Sequence, residues 1–572
     1  MLRPALNAVL RFLLRKVVLK AIAVPVRRRL ARFEAATADP KRVQEALLLD
    51  ILREQSATAF GRDHHFDGVS GVDDFRRQVS VAGYEAIEPY IERVKKGETN
   101  ALLADPKIFM FALTSGTTAT RKFIPVTRRY LADYKQSWNL WGLKVFTDHK
   151  ELILKPIVQM AGDADEFRTE SGVPCGAVTG LTATMQKRIV RKMYAIPPGV
   201  SRVKDPHAKY YSVMRLALPR PVGLFVAANP STMLSLARTE DQYKETLIRD
   251  IHDGTLDADL DLPPGVRAEV EARLKPAPER ARELEEVVRR TGHLYPRDSW
   301  TNPFLMGNWT GGSVGAYLRH YPRYFGDNWV RDPGLIASEG RMTIPFADGT
   351  PAGVLDVTSH FFEFIPEEEA GSSRPTVLGA HELAEGRRYF ILLTTGYGLY
   401  RYHIHDLVRV TGFFHKTPLI EFLSKGSAFA NLTGEKLSEY HVTQAMAKAQ
   451  AELNLALGAF SVAPCMPDDD AEAPYYALFV EQGDVGPAQV KQLAARLDAE
   501  LSRLNVEYES KRSSDRLGPA RVELMPTGFW ARWDRQRLER TGGTLEQYKR
   551  PALINDLEFA RAAKTAPAGC AS

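Results

Sequence analysis

Apolar positions change period several times along the chain. VQEALLLDILREQS at 43–56 places them every three to four residues, which predicts a helix. YEAIEPYIERVKKG at 84–97 predicts another, interrupted by Pro89. The unbroken apolar run IFMFAL, 108–113, predicts a strand that ends in a loop, TSGTT. YSVMRLA, 211–217, reads as helix. VGLFVAANPSTMLSLAR, 222–238, predicts strand, turn and helix, with Ser231 or Thr232 as the helix cap. Residues 256–290 are charged and helical, punctuated by PAPER, and WTGGSVGAYLRHY, 309–321, has a glycine pair before a helical run. GLIASEGRMTIP, 334–345, predicts a short apolar strand ending in Ser338 and Glu339. In 388–414 two β-rich runs flank TTGYG, with Val408 and Val410 alternating against Leu407 and Arg409.

The pattern shifts after residue 424. SKGSAFANLTGEKLSEYHV reads as a hinge-like loop leading into a helix at about 438–453. Strands at 475–481 and 520–526 follow, with a helix at 485–504 between them. This predicts a large α/β domain with mixed sheets over 41–424, a hinge at 425–435, and a small mobile α+β cap over 436–572. A length of 572 residues fits two or more domains.

Residues 1–40 form a separate unit, a predicted basic amphipathic helix. They hold no acid before Glu34, and cations at Arg11, Arg15, Lys16 and Lys20 break every apolar run. That excludes a secretory core or a membrane span. Leu10, Leu13, Leu14, Val17 and Val18 share a helical face. The helix packs on its own protein, touches a membrane surface weakly through residues 1–30, or serves as a transit peptide.

Composition narrows the function classes. Hydrophobic residues make up 44% and charged residues 26%, a soluble globular balance. The net charge of +6 is small for this length, and no basic stripe interleaves with aromatics, so nucleic acid is not a partner. Cys175, Cys465 and Cys570 are few and scattered, which points to a reducing compartment, the cytoplasm. His403 and His405 alternate without a second ligand cluster and read as two histidines on one strand face.

Chemistry concentrates at 114–122, TSGTTATRK. A strand ending in Thr114, Ser115, Gly116, Thr117 and Thr118 offers consecutive amides and hydroxyls that can wrap a polyphosphate, with Arg121 and Lys122 supplying charge. It is not the Walker pattern, and a Ser/Thr-rich surface turn is the plain alternative.

TSGTT followed by a lysine resembles the phosphate loop of the adenylate-forming superfamily. IASE resembles that superfamily's second ATP motif, LYRYHIHDLVRVTG its third, and QYKRP its C-terminal lysine motif, all in the expected order. TAFGRDHHFDGV, NPSTMLSLAR and TLEQYKRPAL are similar to one branch, the acyl-acid amido synthetases of the auxin-responsive promoter family, over about residues 45–555.

The resemblance implies an enzyme that joins ATP to a small carboxylic acid and then passes the acyl group to an amine, an amino acid. It implies ATP binding by Ser115, Gly116, Thr117, Thr118 and Ser338, with Lys122 on the β and γ phosphates. Glu339 would hold Mg²⁺, Asp406 the ribose hydroxyls, and Lys549 on the cap the α-phosphate. Lys425, at the hinge, joins the ATP-binding set. From its paired glycines, which allow close backbone approach, Trp309 to Gly312 edges the acyl pocket or forms a simple tight turn. A monomer is expected. An acyl-CoA ligase and a non-catalytic ligand-binding protein on the same fold are the alternatives. Taken singly, Asp406, Glu339 and Lys549 also read as a strand-end turn residue, a loop acid and a surface lysine. Two residues depart from the family pattern: Ala119 stands where glycine is usual, and Leu335 where an aromatic is common.

Overall fold

The computed structural model describes residues 19–114, 122–185, 188–369, 372, 374–425, 430, 432–433, 435, 437–467, 473–513, 517–541 and 550–565. Five sheets organise them. One is parallel, in the order 157–159, 224–226, 305–307, 329–331, and helices join its strands. Crossover helices of this kind cover a parallel sheet and leave its carboxyl ends free for ligands. The largest has seven antiparallel strands, in the order 343–344, 353–355, 417–425, 402–414, 388–394, 361–366, 378–379. A four-stranded mixed sheet carries the hairpin Met110–Thr114 and Lys122–Val126. A two-stranded hairpin, Ile336–Ala337 with Gly340–Arg341, lies beyond the last parallel strand.

The local rules are mostly visible. The helix Pro40–Gln55 buries Leu48, Ile51 and Leu52 at helical spacing and is capped by Asp39. Pro89 does not interrupt a helix. A 3₁₀ turn at Tyr84–Ala86 precedes the helix Glu88–Lys95, and Pro89 occupies its first turn, where no amide is needed. Neither Ser231 nor Thr232 caps the helix Pro230–Gln242. Asn229 does, its Oδ1 accepting from the Ser231 amide at 2.9 Å. The run after the glycine pair is a 3₁₀ helix, Gly312–His320.

The main core joins the helix at 40–55 to the seven-stranded and hairpin sheets through Phe75, Phe111, Phe362, Ile391 and Val408. A second core lies among the helices of the parallel sheet, around Tyr211, Met214, Leu284 and Phe304. The C-terminal region has its own three-stranded sheet, Phe460–Cys465, Tyr475–Glu481 and Arg521–Met525, with a core of Val442, Met446, Leu478 and Leu497. Much of the expected hinge, and all of 1–18, lie outside the described residues.

One pH effect follows from the C-terminal region. His441 sits in the first turn of the helix Glu439–Glu452, where its Nδ1 accepts from the Ser438 amide at 3.2 Å. Burial, aided by the charge of Arg388, pulls the imidazole from 6.5 down to about 4. The neutral ring is favoured by folding. Its contribution is complete above pH 6.5 and is lost as pH falls from there toward 4. Urea unfolding of this region at pH 5 is expected to give a stability about 2 kcal/mol below that at pH 7. In His441→Asn that pH step should shrink.

Candidate adenylation site

The phosphate-loop stretch is held at both ends. The hairpin register pairs Thr114 with Lys122, so residues 115–121 leave and rejoin at Cα positions about 5 Å apart. Ser115, Gly116, Thr117, Thr118 and Ala119 lie outside the described residues. Lys122 Nζ donates to Tyr402 Oη at 3.3 Å. It also stands 5.9 Å from the Tyr84 ring centre and 5.8 Å from that of Tyr402. Tyr84 is itself fixed, its hydroxyl accepting from the Phe123 amide at 3.0 Å.

Ser338 and Glu339 form the turn between strands 336–337 and 340–341, rather than the end of a single strand. Ser338 Oγ donates to the Leu113 carbonyl at 2.9 Å, which ties this turn to the strand before the phosphate loop. Tyr130 Oη donates to the Ser338 carbonyl at 3.1 Å, and Tyr397 Oη to the Glu339 carbonyl at 3.0 Å. Gly340 follows at φ +154°, and a Cβ there would lie 2.7 Å from both His360 Nε2 and Tyr397 Oη. The turn therefore needs glycine to seat against those two rings.

Glu339 is only 5% exposed, so it is not a solvated loop acid. Burial raises the hydroxyl pKa of Tyr84, Tyr130, Tyr397 and Tyr402, and the Glu339 charge raises all four further. These tyrosines stay neutral donors across the physiological range. Among the described residues no cluster of three His, Cys, Asp or Glu side chains could hold a metal. A single buried carboxylate suits a Mg²⁺ ion that keeps its waters and takes its other ligands from phosphates.

Asp406 lies inside the strand Tyr402–Phe414, opposite Lys425 in the register with strand 417–425, and is 3% exposed. It is not a strand-end turn residue. The ladder to strand 388–394 slips here: Ile404, His405 and Asp406 face a gap of one residue, Ile391, and His405 takes φ +61°. Bulges of this kind re-aim a side chain beside a site. His403 and His405 do share a face, their rings stacked 4.1 Å apart. Only the backbone of Lys425 is described, and Lys549 lies outside the described residues. The chain just after Lys549 is anchored, with the Ala552 amide donating to Glu439 Oε1 at 2.6 Å.

Tyr402 connects these parts. Its hydroxyl meets Lys122 and lies in the fields of Glu339 and Asp406. Its position depends on the preceding residue. Arg401 Nε bonds Glu363 Oε2 at 2.8 Å, and Arg76 Nε bonds the other oxygen at 2.9 Å. Tyr402→Phe is expected to lower the rate of acid activation roughly tenfold with an unchanged melting temperature, because it removes one oriented donor–acceptor from Lys122. Steady-state kinetics alongside a melting curve check this.

The Trp309–Gly312 stretch is built for close approach. The Asp332 carboxylate accepts from the Thr310 amide at 2.6 Å and the Gly334 amide at 2.7 Å, and Trp309 Nε1 donates to the Gly334 carbonyl at 3.1 Å. Gly312, at φ +61°, lets this turn lie against Phe422 and Leu423 of strand 417–425. Leu335 is packed in the main core. Sequence reasoning missed Tyr84, Tyr130, Tyr397 and the Arg401–Glu363 pair. Arg401 and Tyr402 had a local signal, their place in the third motif.

This is the fold that the resemblance to adenylate-forming enzymes implies, a large α/β region followed by a small C-terminal one with its own sheet. The chain belongs to the GH3 family: the GH3 family N-terminal domain matches residues 29–330, the central domain 353–425 and the C-terminal domain 440–558. It is similar to jasmonoyl–L-amino acid synthetase JAR4 of Nicotiana attenuata, at 24% identity over 91% of this chain and 92% of that protein. It is likewise similar to probable indole-3-acetic acid-amido synthetase GH3.1 of Arabidopsis thaliana, at 24% identity over 91% and 90%. Among solved structures, GH3.15 acyl acid amido synthetase shares the fold with a TM-score of 0.81 at 20% identity, over 94% of this chain and 95% of that one.

Proposed function

We propose that this chain is an ATP-dependent acyl-acid amido synthetase that activates a small carboxylic acid and conjugates it to an amino acid. One observation carries the reading: Lys122, at the end of the strand after the Ser/Thr loop, bonds Tyr402, whose hydroxyl also lies in the fields of Glu339 and Asp406. The relatives named for jasmonoyl and indole-3-acetic acid conjugation support the substrate classes.

In the first step an acid oxygen attacks the α-phosphorus of ATP, forming an acyl-adenylate and releasing pyrophosphate. Ser115 to Thr118 and Lys122 offer donors to the β and γ phosphates, each worth about 3 kcal/mol where charge develops. Asp406 accepts the ribose hydroxyls and holds the nucleotide for in-line attack. Glu339 would hold Mg²⁺, which when bound offsets phosphate charge. Ser338, bonded to Leu113, ties the turn that carries this carboxylate to the strand leading into the loop. Lys549, on a cap over 436–572 that turns about a hinge at 425–435, adds positive charge at the α-phosphate, and Lys425 contacts the nucleotide at that hinge. In the second step the amine attacks the acyl carbon, AMP leaves and the amine gives up a proton. The chain acts as a monomer in the cytoplasm.

The test is the second step. Protein loaded with ATP, Mg²⁺ and an accepted acid is given amino acids or coenzyme A, and the product is weighed. The expected mass is acid plus amino acid minus water. A thioester of coenzyme A and no amide would replace this reading with that of an acyl-CoA ligase.

A further inference from the structure

The basic N-terminal helix is not used by the site. Its described part, Leu19–Thr37, contacts the helix Arg128–Asp148 along one side. Phe33 is 2% exposed and packs edge-on to Phe346 at 6.0 Å, Leu30 is partly buried in the same cluster, and Thr37 is buried and bonds His415. Leu30, Phe33 and Thr37 recur every three to four residues and define the attached side.

The opposite side faces water. Arg27, Arg28, Arg29 and Arg32 are all exposed and make no hydrogen bond or ion pair among the described residues. Val24, a large apolar side chain, is 44% exposed beside them. Four adjacent guanidinium groups repel one another, and the one acid of the helix Leu19–Thr37, Glu34, forms an ion pair with none of them. A helix side of this kind attracts an anionic surface.

The rest of the segment says which surface. Through Phe33 the chain carries nine Lys or Arg residues and no acid, and the residues before Val24 alternate those cations with leucine, valine, isoleucine and phenylalanine. Nucleic acid rewards the cations but not the apolar residues, whereas the interface of an anionic bilayer rewards both. No helix among the described residues is long and apolar enough to cross a membrane, and the cations that interrupt every apolar run before Val24 suit an interface rather than a span.

We propose that the exposed side of the helix Leu19–Thr37 docks this enzyme onto anionic phospholipid membranes, with Arg27, Arg28, Arg29 and Arg32 facing the headgroups. The contact is electrostatic with a shallow apolar component, and it leaves the adenylation site untouched.

The test is co-sedimentation of the full chain with vesicles of phosphatidylcholine containing 30% phosphatidylglycerol, against pure phosphatidylcholine. The expected result is binding at 50 mM salt to the anionic vesicles, at least tenfold stronger than to neutral ones and largely lost at 500 mM. The variant carrying Arg27→Glu, Arg28→Glu, Arg29→Glu and Arg32→Glu should lose about tenfold or more in binding while keeping its melting temperature and its acid-activation rate. The same four positions changed to Gln should fall between, which separates charge from misfolding. Equal binding to both vesicle types, unchanged binding by a folded variant, or tighter binding to a duplex DNA than to anionic vesicles would each overturn the proposal.

Discussion

Glu339→Ala is expected to lower acid-dependent pyrophosphate formation by about a hundredfold or more, with the protein still folded. The turn that carries Glu339 is held by Ser338 Oγ on Leu113 and by Tyr130 and Tyr397 on two backbone carbonyls. None of those bonds uses the Glu339 carboxylate, so the turn survives its loss. What disappears is the buried negative charge among four tyrosines. Glu339→Gln separates the effects: it keeps the volume, loses the charge, and should be nearly as inactive. A melting temperature close to that of the unaltered protein, together with near-normal pyrophosphate formation in either variant, would remove Glu339 from the site.

The second large effect concerns stability. Glu363 is 1% exposed in its side chain and sits between Arg76 and the buried Arg401. Arg401 also donates to the carbonyls of Val79, at 2.8 Å, and Arg76, at 3.2 Å. Glu363→Ala leaves the Arg401 guanidinium buried with backbone partners only, and losing one member of such a pair costs about 3–5 kcal/mol. Denaturant midpoints should show that drop. Arg401 holds φ +44° and immediately precedes Tyr402, so activity should fall even below the unfolding range. Glu363→Gln, which retains an acceptor, should recover part of both.

The chain's local grammar was legible where period and punctuation act alone. YYALFVE is the strand Tyr475–Glu481, and two β-rich runs do flank TTGYG as the strands 388–394 and 402–414. Local signals misled where a neighbouring residue competed better for the same bond: Asn229 takes the cap that Ser231 and Thr232 were suited to. The seven-stranded order was not legible, because it places 353–355 beside 417–425 and 361–366 beside 388–394. Such pairing is set by long-range burial, not by any short window. At the site, motif order gave Lys122, Glu339 and Asp406, since each lies in a contiguous stretch. The tyrosines that surround Glu339 come from three separate stretches, at 84, 130 and 397–402, and the bulge beside Asp406 depends on a register slip no residue type announces.

Acyl-adenylate formation is the reaction proposed for this site. The most direct measurement is pyrophosphate release from ATP and Mg²⁺ across a broad panel of small carboxylic acids, with no amine present. Release should depend on at least one acid and be abolished in Asp406→Ala and Glu339→Ala. Acid-independent release, or none with any acid in the panel, would contradict this proposal.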